Sequence, residues 1–116
     1  MADKPTKYYS QLQEHYLAKK LNGTLTPASG ASKFSKGDIK IKNASLLVEC
    51  KTTTTEKTSF SIKKEWLEKI KEEAKIQQLE NSVLAFSFTP EGTENYFVIS
   101  EKLMCYLINK LEEDIL

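Results

Sequence analysis

The 116-residue sequence contains no arginine, one histidine, one tryptophan, two cysteines, three prolines and four glycines. It has no apolar run near the ~18–20 residues that a membrane-spanning helix requires, which excludes that class. The lysine-spaced N-terminus lacks the apolar core of a signal peptide, so no secretory leader is expected. Cys50 and Cys105 are far apart and form no C-x-x-C pair, and with His15 as the lone imidazole no structural zinc site is expected. Both cysteines are expected to be small buried hydrophobes in a reducing, cytoplasmic setting. Glycine and proline are too scarce for a collagen-like chain, and a hydrophobic content of 40% is too high for a disordered one.

What is present fits one domain, since single cores commonly form at about 100–150 residues and bury roughly two-thirds of the unfolded surface. The formal net charge is +1, an average over two unlike regions. Residues 1–64 hold 12 Lys against 5 acids, whereas residues 65–116 hold 5 Lys against 11 acids. Such asymmetry points to a polyanionic partner, with a solvated surface of segregated charge as the plainer reading.

Residues 7–21 carry apolar side chains at helical spacing (Tyr9, Leu12 and Tyr16, with Leu17 and Leu21 in a neighbouring row), and Asn22-Gly23 ends that helix as a left-handed cap. A short strand is expected at Thr24–Thr26, and residues 27–37 read as an exposed loop. Two strands follow, at 38–42 and 46–53, the first with Ile39 and Ile41 on one face. A helix is expected over 62–78, capped by Ser61, with Ile62, Trp66, Leu67, Ile70 and Ala74 on its inner face and Lys and Glu on the other. Strands at 82–88 and 95–100, separated by a turn at Pro90-Glu91-Gly92, precede a last helix over 101–113. The order αββ(β)αββα describes an α/β fold, a mixed central sheet flanked by helices.

Metal-assisted phosphodiester hydrolysis needs a few oxygen ligands converging on Mg²⁺ and a positive charge for the water and the phosphate. Asp38 opens one strand, and Glu49 and Lys51 stand near the end of the next. Residues i and i+2 of a strand point to one side, so Glu49 and Lys51 project together. Cys50 then points into the core, with its carbonyl beside them. Asp38 lies near Glu49 only if the hairpin through Asn43-Ala44-Ser45 has the right register, which the sequence leaves open. Glu73-Ala74-Lys75 has the same E-x-K spelling but lies in a helix, where a two-residue step rotates roughly 200° and turns the groups apart. Asp38-Ile39-Lys40 is a further acid-x-Lys pair on a strand, without a second acid at similar spacing upstream. Glu14 is a third acid, in line with Leu17, Ala18 and Leu21. A carboxylate turned toward that face needs a partner or a metal, and the plainer reading places it at the rim, reaching water.

Glu14 in the first helix, Gly37-Asp38, Val48-Glu49-Cys50-Lys51 and the Phe60-Ser61 helix start resemble the PD-(D/E)xK nuclease superfamily, and within it the Holliday-junction resolvases of archaea and phages. The resemblance spans residues 7–100 and departs from the family pattern at Gly37, where proline usually precedes the aspartate. It implies a restriction-endonuclease-like core, dependence on Mg²⁺ with Mn²⁺ able to substitute, and a homodimer with two active sites on a four-way DNA junction. It also implies a cytoplasmic, nucleoid-associated location in a prokaryotic or phage-infected cell. Asp38 and Glu49 would be metal ligands, Lys51 the catalytic lysine, Glu14 the helix glutamate completing the site, and the Cys50 carbonyl a further metal contact. A serine of the 27–37 loop would assist cleavage; Ser29, Ser32 and Ser35 qualify, and Ser32 is preferred.

Lys33, Lys36, Lys40, Lys42, Lys57, Lys63 and Lys64 surround these acids in sequence and would contact DNA phosphates. Without arginine, they would do so as point charges, with no bidentate forks. Other readings are a nuclease of the same fold acting on linear, nicked or damaged DNA, a catalytically silent DNA-binding module, and an interaction domain with an acidic C-terminal half. The terminal helix, with Leu111, Ile115 and Leu116, is a candidate dimer surface, although core packing is the expected use of most of its apolar stripe.

Overall fold

A computed structural model describes residues 4–26 and 38–115, with the side chain of Asp38 outside that set. The elements are α1 (Thr6–Lys20), β1 (Thr24–Leu25), β2 (Asp38–Ile41), β3 (Leu46–Lys51), α2 (Lys64–Ile76), β4 (Asn81–Ser87), β5 (Asn95–Val98) and α3 (Glu101–Ile115), with a 3-10 turn at Lys42–Ala44. The fold is mixed α/β, as expected. Its five-stranded sheet runs in the order β1-β2-β3-β4-β5. The β3–β4 pair is parallel, bridged by α2, and the other three pairs are antiparallel. Among the described residues, no helix is long and apolar enough to cross a membrane.

The central strand β3 explains the two cores. Val48 packs with Leu17, Ile39, Val83, Ala85 and Leu103 on one face of the sheet. Leu47 packs with Ile70, Ala74 and Leu79 under α2 on the other. A strand covered on both sides needs consecutive apolar residues, hence the Leu46-Leu47-Val48 run. Fully burying a side chain of this size contributes about 1.5–3 kcal/mol. Ile39 is fully buried and Ile41 packs on the same cluster, as their shared face requires.

Helix α1 buries Gln13 and Leu17, while Leu12 from the expected stripe is exposed. Its left-handed cap is Asn22, at φ 54°, and the Gly23 N–H donates to Ala18 O at 2.8 Å. Gly23 is needed for space, because a β-carbon there would collide with Ile39 Cγ2. Helix α2 begins at Lys64, later than the sequence suggests. Ser61 does not cap it: Lys63, in extended conformation, occupies the N-cap without a side-chain bond. The preceding loop is tied to the residue after β4 by Lys57 N–H donating to Phe88 O at 2.9 Å.

Two expectations fail at α3. Ser100 Oγ caps it by accepting from Leu103 N–H at 3.1 Å, but Leu103 is its one buried residue among those described. Met104, Leu107, Ile108, Leu111 and Ile115 are exposed, so most of the stripe is not core, and Cys105 is exposed rather than buried. Only the first turn reaches the sheet, whose core on that side α1 already fills through Leu17. Leu116 lies outside the described residues.

The β4–β5 turn depends on Gly92, which is buried at φ +71°. A β-carbon there would stand 2.7 Å from Gln13 Cα. Both the backbone conformation and the close approach of α1 therefore demand glycine. Gly92→Ala is expected to lower stability by about 1–3 kcal/mol in urea unfolding; a change within ~0.5 kcal/mol would show that neither constraint operates.

Candidate active site: carboxylates and lysine at the end of the central strand

The register of β2 against β3 answers the question left open by the sequence: Asp38 is paired directly with Glu49. Ser45, at φ 52° after the 3-10 turn, sets that register by closing the hairpin. On β3, alternation turns Cys50 toward the α1 core, while Glu49 and Lys51 face α2.

Glu49 is only 6% exposed. Lys51 Nζ lies 3.7 Å from Glu49 Oε2 and 4.5 Å from the centre of the Trp66 ring, so the ammonium is held between a carboxylate and an aromatic face. Burial pushes the Glu49 carboxyl above the ordinary glutamate range; Lys51 and Lys69 pull it down, and the neighbouring charge of Glu73 pushes it up. Glu49 Oε2 is buried without a hydrogen-bond partner. A buried carboxylate oxygen whose nearest charge is an ammonium at 3.7 Å, with no hydrogen bond, fits a hard divalent cation such as Mg²⁺, which takes oxygen ligands.

The residue brought to Glu49 by the fold is Glu73, which the sequence argument used only as a counterexample. The counterexample holds for Lys75, which is exposed while Glu73 is buried at 1% exposure. Glu73 nevertheless lies on the inner face, three residues after Ile70 and seven after Trp66, and that spacing was the available signal. Lys69 Nζ lies 3.9 Å from Glu73 Oε1. Glu14 is half-buried, with its carboxyl pushed up by burial and drawn down by His15. Among the described residues, no three His, Cys, Asp or Glu side chains converge as a metal site. The side chain of Asp38 and residues Ser29, Ser32, Ser35, Lys33 and Lys36 lie outside the described residues.

Two further features were not read from the sequence. Gln13 is fully buried, and its Nε2 donates to Lys51 O at 2.8 Å and to Asn95 Oδ1 at 2.9 Å. Asn95 Nδ2 in turn donates to Gly92 O at 2.7 Å. This chain ties α1 and the β4–β5 turn to the end of β3; Gln13 stands four residues before Leu17, on its row. Beside Lys51, Phe60, Trp66, Phe86, Phe88 and Tyr96 form a run of ring contacts, with Phe86 paired to Lys51 across the parallel ladder. Of the remaining candidate DNA contacts, Lys40 is half-buried, and Lys42, Lys57, Lys63 and Lys64 are exposed.

Because burial favours the neutral acid, folded Glu49 keeps its proton to higher pH than the unfolded chain, in which glutamate titrates near 4.5. Its contribution to stability therefore falls as pH rises from there through the folded value. Glu49→Gln is expected to raise the melting temperature at pH 7–8, with the gain shrinking toward pH 4; a loss at neutral pH would mean that the Lys51 ion pair outweighs burial. No family model, curated protein or solved structure matches the chain.

Proposed function

We propose that the protein is a Mg²⁺-dependent, structure-selective DNA endonuclease of the PD-(D/E)xK type, resolving four-way junctions by paired nicks as a homodimer. The observation that carries this reading is the pairing of Asp38 with Glu49 across one ladder, with Lys51 on the Glu49 side of its strand. Asp38 and Glu49 hold the cation, which when bound polarises a phosphoryl oxygen and lowers the pKa of a water. Lys51, fixed by Glu49 and the Trp66 ring, donates to the phosphate or the attacking water as negative charge develops. The Cys50 carbonyl and Glu14 are further candidates for the metal, and Ser32 for assistance from the loop.

Phosphate contacts come from exposed lysines, with Lys63 lying 5.7 Å over the same Trp66 ring that Lys51 covers. Such contacts make affinity fall steeply with salt and leave little base readout. Junction selectivity then rests on the spacing of two sites in a symmetric dimer. The face of α3 supplies a surface for it: Met104, Ile108, Leu111 and Ile115 follow the 4-3-4 spacing of a coiled-coil seam, with Leu111 at 64% and Ile115 at 84% exposure.

Two experiments test this reading. With a synthetic four-way junction and a matched linear duplex, Mg²⁺-dependent symmetric nicks are expected only on the junction, and Asp38→Asn and Lys51→Ala should lose at least about 100-fold in rate while retaining DNA binding. Cutting by Asp38→Asn at the wild-type rate would overturn the site; equal cutting of both DNAs would leave a nuclease without junction selectivity. Leu111→Glu is expected to convert a dimer to a monomer in sedimentation analysis, and an unaltered dimer would place the interface elsewhere.

A further inference from the structure

Resting on the metal-dependent reading above, we propose that Glu73 is a carboxylate ligand of the same divalent cation that Glu49 holds, so that α2 supplies one wall of the metal site. Glu73 is 1% exposed, and its Oε2 is buried with no hydrogen-bond partner. Glu49 Oε2, on the strand under the helix, is also buried without a hydrogen bond, its nearest charge being Lys51 Nζ at 3.7 Å. The two ammonium groups nearby, Lys51 at 3.7 Å and Lys69 at 3.9 Å, lie beyond the 2.7–2.9 Å typical of a charge-assisted hydrogen bond. They lower the cost of the two negative charges without making a hydrogen bond to either buried Oε2.

A buried carboxylate pair is costly unless its lone pairs are taken up, and two like charges side by side add to that cost. An ion pair alone explains Glu73 Oε1, which faces Lys69, but it leaves Oε2 without a role. A hard cation with two charges accounts for both observations, because it accepts oxygen donors and neutralises two carboxylates at one point. Trp66 lies over Lys51 and Ile70 packs on Leu47, and Glu73 belongs to this same inner row of α2, close enough for its charge to act on Glu49. Shared burial under one helix thus brings together an acid from the basic half of the sequence and one from the acidic half.

The test is Mn²⁺ titration of the full chain, without DNA, read by the electron paramagnetic resonance signal of free Mn²⁺. Wild type is compared with Glu49→Gln, Glu73→Gln, Glu73→Asp and, as a control on an exposed neighbour, Glu72→Gln; folding is followed by circular dichroism and Trp66 fluorescence. Glu73→Gln is expected to weaken Mn²⁺ binding about 10-fold or more, as Glu49→Gln does, with Glu72→Gln unchanged. Glu73→Asp, which keeps the charge and withdraws it by one methylene, should fall between, and it decides the question if Glu73→Gln does not fold. Binding that is lost in Glu49→Gln but within twofold of wild type in Glu73→Gln, or in Glu73→Asp should only that variant fold, overturns the role of Glu73 and leaves the metal-dependent reading standing. A wild-type chain that binds no Mn²⁺ overturns both.

Discussion

A carboxylate on the central strand, turned under a helix, is the constraint around which the rest of the structure is arranged. An ionised group in that position loses most of its hydration, and the loss must be offset by nearby charge. Lys51 is placed to do this by the two-residue repeat of β3, and Lys69 by the helix covering it. The Trp66 ring limits where the Lys51 ammonium can go. The arrangement is poor for stability, since an apolar pair of similar volume would pack there without the desolvation penalty. A costly electrostatic arrangement beside an opposed aspartate is what the proposed metal-dependent reading requires.

The opposite face of the sheet does a different task. Gln13 donates to the carbonyl of Lys51 from α1 and to Asn95 from the same nitrogen, and Asn95 reaches back to the turn at Gly92. The backbone that carries Lys51 is therefore fixed from the side away from its own side chain. Gln13, itself held by Asn95 from far along the sequence, thus fixes one peptide unit of β3. A glycine at position 92 lets α1 come close enough for this to happen.

Much of this was legible in the sequence, and the remainder was not for identifiable reasons. Strand alternation and helical spacing located the elements, because burial of apolar faces is their main determinant. The Glu49–Lys51 pairing was legible because strand geometry depends only on neighbouring residues. The pairing of Asp38 with Glu49 was not, because register depends on how the Lys42–Ser45 turn closes. Glu73 escaped because charged residues on a helix are assigned to solvent by default, and only the facing strand shows otherwise. The terminal helix was misjudged for the converse reason: an apolar stripe signals burial against something, without saying whether this chain provides it.

The charge distribution is also read differently once the fold is known. Divided at residue 64, the chain separates into a basic and an acidic region, an asymmetry that by itself points to a polyanionic partner. The contacts do not respect that division. Glu49 belongs to the basic region, yet its environment is completed by Glu73 and Lys69 from the acidic one. Helix α2 therefore does more than cover the sheet: it carries one acid inward while presenting exposed Lys63 and Lys64 at its start, beside the ring shared with Lys51. In the proposed reaction a single element would thereby serve both tasks, the cation from one face and the phosphate chain from its end. The net charge of either half is a sum over groups that act at different places, and only their positions on α2 and β3 say which groups act together.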